Sequence, residues 1–382
     1  MENVAAEVLD HRSSAAMAAW AHRPGDQVFD DVGIEGLVEH TNKIKEGSFV
    51  REAAVEHLGI HAIGDSMIPG ADPMVISHER SRHGPVVAKL NNHSFNQFCS
   101  AIGARAGEYR KLPTAIAQIP LAWLTQNSLR KDVKMLVYKK PGEDSLECRA
   151  INSPSYGRIW NNELALAVKD HVDSTQWAVP KATAFHTKTG FITTNDRKTF
   201  IFLVNESNPI ELPGSKAPMY RGFYAWNSEV GDGTCGIAEF LYNMACANRA
   251  IMNLTGFSEL NIRHTSGAPD RWVRDAVPAL NEYVNKGTSE VVALLESSKR
   301  KKVAKDEKGA LNWLQERGFT KALAKSTLES AREEGRGADP DVSPYSVFNI
   351  IQGLTAEAKE KANNDERVDI ESRAGRLMKA VM

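Results

Sequence analysis

The segment RGFYAWNSEVGDGTCGIAEFLYNMACANRAI, residues 221–251, is the most patterned in the chain, and its reading decides how the middle of the protein is organised. Phe223, Tyr224 and Trp226 supply strand-forming side chains at its start. Gly231 and Gly233 permit an unusual backbone turn, and Asp232 or Thr234 is suited to cap a helix. Beyond the turn, Ile237, Phe240, Leu241, Met244 and Ala245 recur at spacings of three and four, which predicts an amphipathic helix with one stripe on the core. The segment therefore reads as strand, glycine joint and helix. A phosphate loop would also set glycines at a helix N-terminus. Here Glu229 and Asp232 occupy the place of the anion, no Lys-Ser/Thr pair follows the glycines, and G-x-G-x-x-G is absent. The alternative at this turn is a divalent metal such as magnesium held by Glu229 and Asp232, since hard cations take carboxylate oxygens.

On either side, short β-branched and aromatic runs alternate with turn chemistry. VKMLVYKK and SLECRAIN flank PGED and predict a hairpin, and GFITTNDRKTFIFLVN predicts two strands around Asn195 and Asp196. NELALAVKDH predicts a helix inserted between them. Hairpin, helix, further strands and helix again is an α+β order, an antiparallel sheet flanked by helices. Upstream, SFNQFCSAIGA and TAIAQIPLAWLTQNSL predict two helices, the second entered through Pro113 and Thr114. Residues 1–85, rich in loop punctuation such as GDSMIPGADP, read as a leader with one helix around SFVREAAVEHLGI. Residues 86–268 form the α+β core domain. Residues 269–382 read as a mostly helical region, with apolar positions such as Trp313, Leu314 and Phe319, broken near GRGADPDVSP and carrying a basic linker at 297–308.

At 382 residues and 42% hydrophobic content the chain can bury a real core. Its formal net charge of −1 excludes a uniformly basic coat for nucleic acid, so polyanion binding has to come from local patches. No apolar run approaches the ~18 residues of a membrane helix, and the first residues lack the pattern of a secretory signal; a soluble, cytoplasmic protein is expected. The four cysteines, Cys99, Cys148, Cys235 and Cys246, form no C-x-x-C pair and read as small buried residues rather than as zinc ligands or disulfides.

Catalytic constellations are thin. His57 and His61 stand four apart, and HERSRH offers His78, Glu79 and His83, but neither reproduces H-E-x-x-H. No G-x-S-x-G elbow occurs, and Cys246 falls in an apolar stretch where a thiol is inert. Cations interleaved with aromatics are better represented. YGRIWNNE sets Tyr156, Arg158, Trp160 and Asn161 together after a predicted strand, the mixture that stacks a base and holds a phosphate. Lys131, Lys134, Lys139, Lys140 and Arg149 lie on or near the preceding hairpin, and Arg221, Arg249 and Arg263 belong to the later strands, so a single groove can be drawn through them. The bland readings are a core tryptophan and edge lysines that discourage aggregation. Lys299, Arg300, Lys301 and Lys302 form the most basic run, either a non-specific phosphate contact or a solvated linker.

Four ordered blocks resemble the phage/plasmid-like protein family of unknown function: HSFNQFCSAIGARAGEYRKLP, CRAINSPSYGRIWNNELALAV, the 221–251 segment with Tyr220 before it, and VFNIIQGLTAEAKEKANNDERVDIESRAGRLM, together about residues 86–380. The most specific pieces are R-A-x-x-S-x-x-Y-x-R-x-x-N-x-E, met by Arg149, Ala150, Ser153, Tyr156, Arg158, Asn161 and Glu163, and W-N-S-E-V-G at 226–231. The chain departs from the family pattern in the serine-proline insertion INSPSYGR, next to Arg158. The resemblance implies a mobile-element origin in the company of recombination genes. The order of elements is also similar in architecture to single-strand annealing proteins of the RecT and Red-beta type, which is an analogy of fold and not of site. The expectation is an oligomeric protein that binds single-stranded DNA and promotes annealing without a nucleotide cofactor, with a recombination exonuclease or host replication factor as further partner. Two alternatives belong to other classes: a metal-dependent nucleic-acid enzyme using Glu229, Asp232 and Glu163, and a protein that binds a host factor through its helical half.

Overall fold

The computed structural model describes residues 25–79, 84–172, 176–180, 189–211, 218–243, 248–251, 260–285, 289–335, 342–361 and 363–381. His83, Met244, Ala245 and Cys246 lie outside them. The chain order is β1 (Gln27–Val28), α1 (Gly33–Glu46), β2 (Ser48–Ala54), β3 (Leu58–Ala62), β4 (Met74–His78), β5 (Val86–Leu90), α2 (Asn92–Ala101), α3 (Ala106–Tyr109), α4 (Thr114–Gln126), β6 (Asp132–Lys139) and β7 (Leu146–Asn152). It continues with α5 (Asn161–Val172), β8 (Ile192–Thr194), β9 (Thr199–Val204), β10 (Met219–Asn227), β11 (Cys235–Asn243), β12 (Asn248–Ile251) and β13 (Leu260–Ile262). Six helices follow: α6 (Ala268–Asn285), α7 (Ser289–Arg300), α8 (Glu307–Glu316), α9 (Lys321–Gly335), α10 (Val347–Lys359) and α11 (Asn364–Val381). The fold is α+β, with helices gathered at its C-terminal end.

The strands form two sheets. The first runs β2-β6-β7-β5-β4-β3 and the second β1-β8-β9-β10-β11-β12, with β13 also paired to β11. Every pairing is antiparallel except β5 with β7. The first sheet lays Ile60, Ile76, Val133, Met135, Val137 and Cys148 against Phe95, Phe98 and Cys99 of α2 and Ala117 and Leu121 of α4. Asn91 starts α2 with a reciprocal capping box to Ser94, which satisfies two otherwise orphaned helix N–H groups.

The decisive segment is a hairpin, not a strand followed by a helix. Met219–Asn227 pairs residue for residue with Cys235–Asn243, from Met219 opposite Asn243 to Trp226 opposite Gly236. The predicted helical stripe fails for a physical reason: both faces of β11 are buried. Cys235 and Ile237 enter the core beneath α5 and α6, while Ala238, Phe240 and Tyr242 enter an aromatic core with Phe202 and Tyr224. A strand covered on both sides carries a nearly continuous apolar run, and any periodicity can be found in such a run. The pairing itself selects for glycine: a Cβ on Gly222 or Gly236 would stand 2.3 Å from the Phe240 ring or 2.4 Å from the Trp226 ring across the ladder.

Residues 48–62 also correct the sequence reading. The helix expected around SFVREAAVEHLGI is strand β2, a single 3-10 turn at Val55–His57 and strand β3. Residues 27–78 are therefore no leader. β2 pairs along its length with β6, β1 pairs with β8, and the boundary placed at residue 85 cuts the first sheet between β4 and β5. The β6–β7 hairpin, the β8–β9 pair and helix α5 stand where they were expected.

Helices α7–α11 build a further core around Leu314, Phe319, Leu328, Ile350 and Leu354, which Met219 and Leu241 of the second sheet join. At the start of α11, the Asn364 backbone N–H donates to Asp26 Oδ2 at 2.8 Å, and its side chain donates to the Gly190 carbonyl and to Thr193. The two extremes of the described chain are thus joined through the second sheet. No helix among the described residues is long and apolar enough to cross a membrane.

Candidate nucleic-acid interface

The residues singled out in the two motif blocks meet at one place, the turn Ser228–Asp232 that closes the β10–β11 hairpin against the first sheet. Glu229 is 3% exposed there; its Oε1 lies 2.6 Å from Arg149 Nη1 on β7, and its Oε2 accepts the Asn161 N–H at 2.9 Å. Arg158 donates to the Glu229 carbonyl and to Asn152 Oδ1. Tyr156 donates its hydroxyl to the Ser228 carbonyl at 2.9 Å. The Val230 carbonyl accepts from Gln97 and Asn152 and faces His93 Nε2 at 3.2 Å. Gly231 has φ +87°, a conformation that the turn requires and that favours glycine.

Electrostatics there are settled internally. The Arg158 guanidinium lies between the rings of Tyr156 (5.2 Å) and Trp160 (5.6 Å), and burial lowers its pKa. Burial raises the pKa of the Tyr156 phenol and lowers that of the His93 imidazole. The carboxylate pair does not fit a metal ion. Both Glu229 oxygens are engaged, and Asp232 faces Lys198 (3.8 Å), Arg197 (3.9 Å) and His93 (3.9 Å). Among the described residues no cluster of three or more His, Cys, Asp or Glu is placed to hold a metal. Glu163 is turned away from the turn, toward Lys45 at 3.0 Å and the Trp160 N–H. The arrangement is a polar rivet between the two sheets.

The groove drawn through the arginines is therefore not assembled. Arg149 and Asn161 are buried in the rivet, with Tyr156, Arg158 and Trp160 half-buried around it. Arg221 is buried, 3.8 Å from Glu239. Arg249 is wholly enclosed: it lies 3.1 Å from Glu371, donates to Asn364 Oδ1 and stacks 3.7 Å over the Phe202 ring. Glu371 is shared with Arg367 at 2.7 Å. Burial pulls the Arg249 pKa down to about 9, which leaves it charged at neutral pH. Burial also raises the Cys99 and Cys148 thiols to about 12, so neither is a nucleophile.

Other candidates stay outside. Lys131 and Arg263 are exposed, and Lys134 is half-buried, 4.0 Å from Glu52. The basic run is no loose linker: its first half is the last turn of α7, where Lys299 is buried beside Glu296 and the Phe348 ring. Beyond Arg300, Val303 and Ala304 pack on the helical core, and the backbone is pinned, with the Val303 N–H donating to Tyr345 O and the Val347 N–H to Lys301 O, each at 2.9 Å. Arg300 reaches Glu296 at 3.7 Å, whereas Lys301, Lys302, Lys305 and Lys308 are exposed and form no ion pair with a described residue. Lys305 and Lys308 belong to the same run and were not singled out, although their spacing from Lys301 and Lys302 was visible. The result is a cationic ledge on a firm backbone.

A groove of ≈ 500 Å³ between α5 and α6 is lined by Leu166, Ala167, Trp272, Val273 and Ala276, with Glu163 and Asp170 at its walls. Its acidic groups make it unsuited to a phosphate. No family model, curated protein or solved structure matches the chain.

Proposed function

We propose that the protein binds single-stranded nucleic acid from its surface ledge and promotes the annealing of complementary strands. One observation carries this reading: Lys301, Lys302, Lys305 and Lys308 stand exposed, without an ion pair to any described residue, on a pinned backbone in a chain whose formal net charge is −1. Four free ammonium groups within eight residues concentrate positive potential, and a fixed backbone spares part of the ordering cost on binding. Lys131 and Arg263 are exposed and supply further phosphate contacts. The buried arginines serve the interior in this reading and do not touch the strand.

The test is fluorescence anisotropy of a labelled single-stranded oligonucleotide across a salt series, with duplex as control. Strand-selective binding that weakens with salt is expected. Replacing Lys301, Lys302, Lys305 and Lys308 together by alanine should reduce the slope of log K against log salt by up to about 3, since each lost phosphate contact removes roughly 0.7 on a single strand. A wild-type protein that ignores the oligonucleotide at low salt, or a quadruple variant with an unchanged slope, overturns the proposal. Acceleration of pairing between two complementary oligonucleotides tests the annealing step itself.

A further inference from the structure

Helix α4 is apolar on two opposite sides. Thr114, Ala117, Leu121 and Thr125 are buried, packing the helix on the first sheet. On the other side Ile116 is 41%, Ile119 69% and Trp123 63% exposed, at the three- and four-residue spacing of a helical stripe. Two more apolar side chains extend it. Ile63, 48% exposed, follows Ala62, whose N–H is held by Gln118 Oε1 of the helix at 2.9 Å, and Leu129, 99% exposed, lies just past the helix end. From Thr114 to Gln126 the helix carries no charged residue. Leu112, 37% exposed, precedes it at the other end.

We infer that this strip is the contact surface for a second copy of the same chain, two α4 helices meeting antiparallel across a two-fold axis. Area is the first argument. Six side chains exposed to this degree present on the order of 600 Å² of apolar surface, the upper end of what a monomer leaves uncovered. Two copies face to face then bury about 1,200 Å², where stable interfaces begin. Shape is the second. The strip is bulky at Trp123 and slighter at Ile116 and Ala115, so antiparallel pairing about Ile119 sets the indole of one copy over the small end of the other. It also opposes the two helix dipoles favourably. Charge is the third: a strip without charge gives no purchase to a phosphate backbone or a charged peptide, while Arg105, Lys111, Arg130 and Lys131 beyond its ends are exposed and form a polar rim. The strip and the lysine ledge lie on different elements, and Lys131 at the rim is the one residue shared with the strand contacts proposed above.

Sedimentation equilibrium of the full chain over a concentration series tests the inference. A self-associating dimer is expected, and Ile119→Asp with Trp123→Asp should weaken it roughly 100-fold or more. Both side chains are exposed in the single chain, so at concentrations low enough for wild type to dissociate the urea transition of that variant should match it. Ile119→Cys, close to the two-fold axis, should trap a covalent dimer under mild oxidation, and Gln126→Cys, remote from it, should not. A chain that stays monomeric into the tens of micromolar overturns the inference, as does an oligomer that survives the double aspartate change. A monomer that floats with neutral phosphatidylcholine vesicles, and loses them on Ile119→Asp, assigns the strip to a lipid surface and overturns it too.

Discussion

Two buried glutamates hold this molecule together, and they do so differently. Glu229 meets one arginine, Arg149, and a backbone N–H, at a joint between sheets where Arg158 is committed to carbonyls and flanked by aromatic rings. Glu371 is shared by two arginines, Arg249 and Arg367, and all three side chains are 0% exposed. In the first, the carboxylate pairs with Arg149, while Arg158 bonds to the Glu229 carbonyl and to Asn152 Oδ1. In the second, one carboxylate takes two guanidinium groups, with the Phe202 ring and Asn364 also against Arg249 and Asp30 near it. A glutamate therefore matters most where it neutralises two cations that cannot reach water, because the penalty of leaving them unpaired is a desolvation penalty.

The largest effect should follow from Glu371→Gln, which removes the carboxylate that two enclosed guanidinium groups share; a loss of about 5 kcal/mol in urea denaturation is expected. Glu229→Gln removes the charge and keeps one acceptor oxygen for Arg149 or the Asn161 N–H, so about 3 kcal/mol is expected from the same measurement. If the two losses are equal, the contrast between one and two arginines is empty.

Acid should separate the systems further. His93 and His264 flank the Glu229 joint, and burial lowers both pKa values from 6.5. Below that pH the unfolded chain takes up protons that the folded chain refuses, so these two groups make stability fall as pH drops. Asp30, near Arg249, has its carboxyl raised by burial above 3.8, so its own contribution runs the other way, gaining as pH falls through the folded value. Thermal melting at neutral and mildly acid pH should therefore show a fall that His93→Gln and His264→Gln reduce and Asp30→Asn does not. The smallest stability change belongs to the ledge: alanine at Lys301, Lys302, Lys305 and Lys308 should leave denaturation within about 0.5 kcal/mol per site while strand affinity drops.

Much of the fold was legible where one face of an element is wet. The β6–β7 hairpin announced itself by PGED between alternating runs, and α5 by its stripe of Leu164, Ala165 and Val168. Legibility failed where both faces are dry, as in β11, and in residues 48–60, where a strand, one 3-10 turn and another strand mimic helical spacing. The site was half legible. The sequence blocks that stood out do converge, but Arg149 and Glu229 meet across 80 positions, and no local pattern tells that an arginine on such a strand points inward to an acid. Composition suggested a groove through Arg149, Arg221 and Arg249; burial turns those cations to the interior and leaves the ledge at 300–308 outside. The outward strip on α4 was also present in the text, in a helix too apolar to have only one buried face.

The bond between Asn364 and Asp26 has a temporal meaning. Synthesis delivers the first strand early and the asparagine that secures it some 340 residues later. Until α11 emerges, the aromatic side of the second sheet, with Phe202, Tyr224 and Phe240, lacks Val368 and the Arg367–Glu371 pair that cover it. A chain stopped before that helix would therefore be an incomplete enclosure with an exposed aromatic wall, prone to stick to its neighbours, and not a shorter working protein.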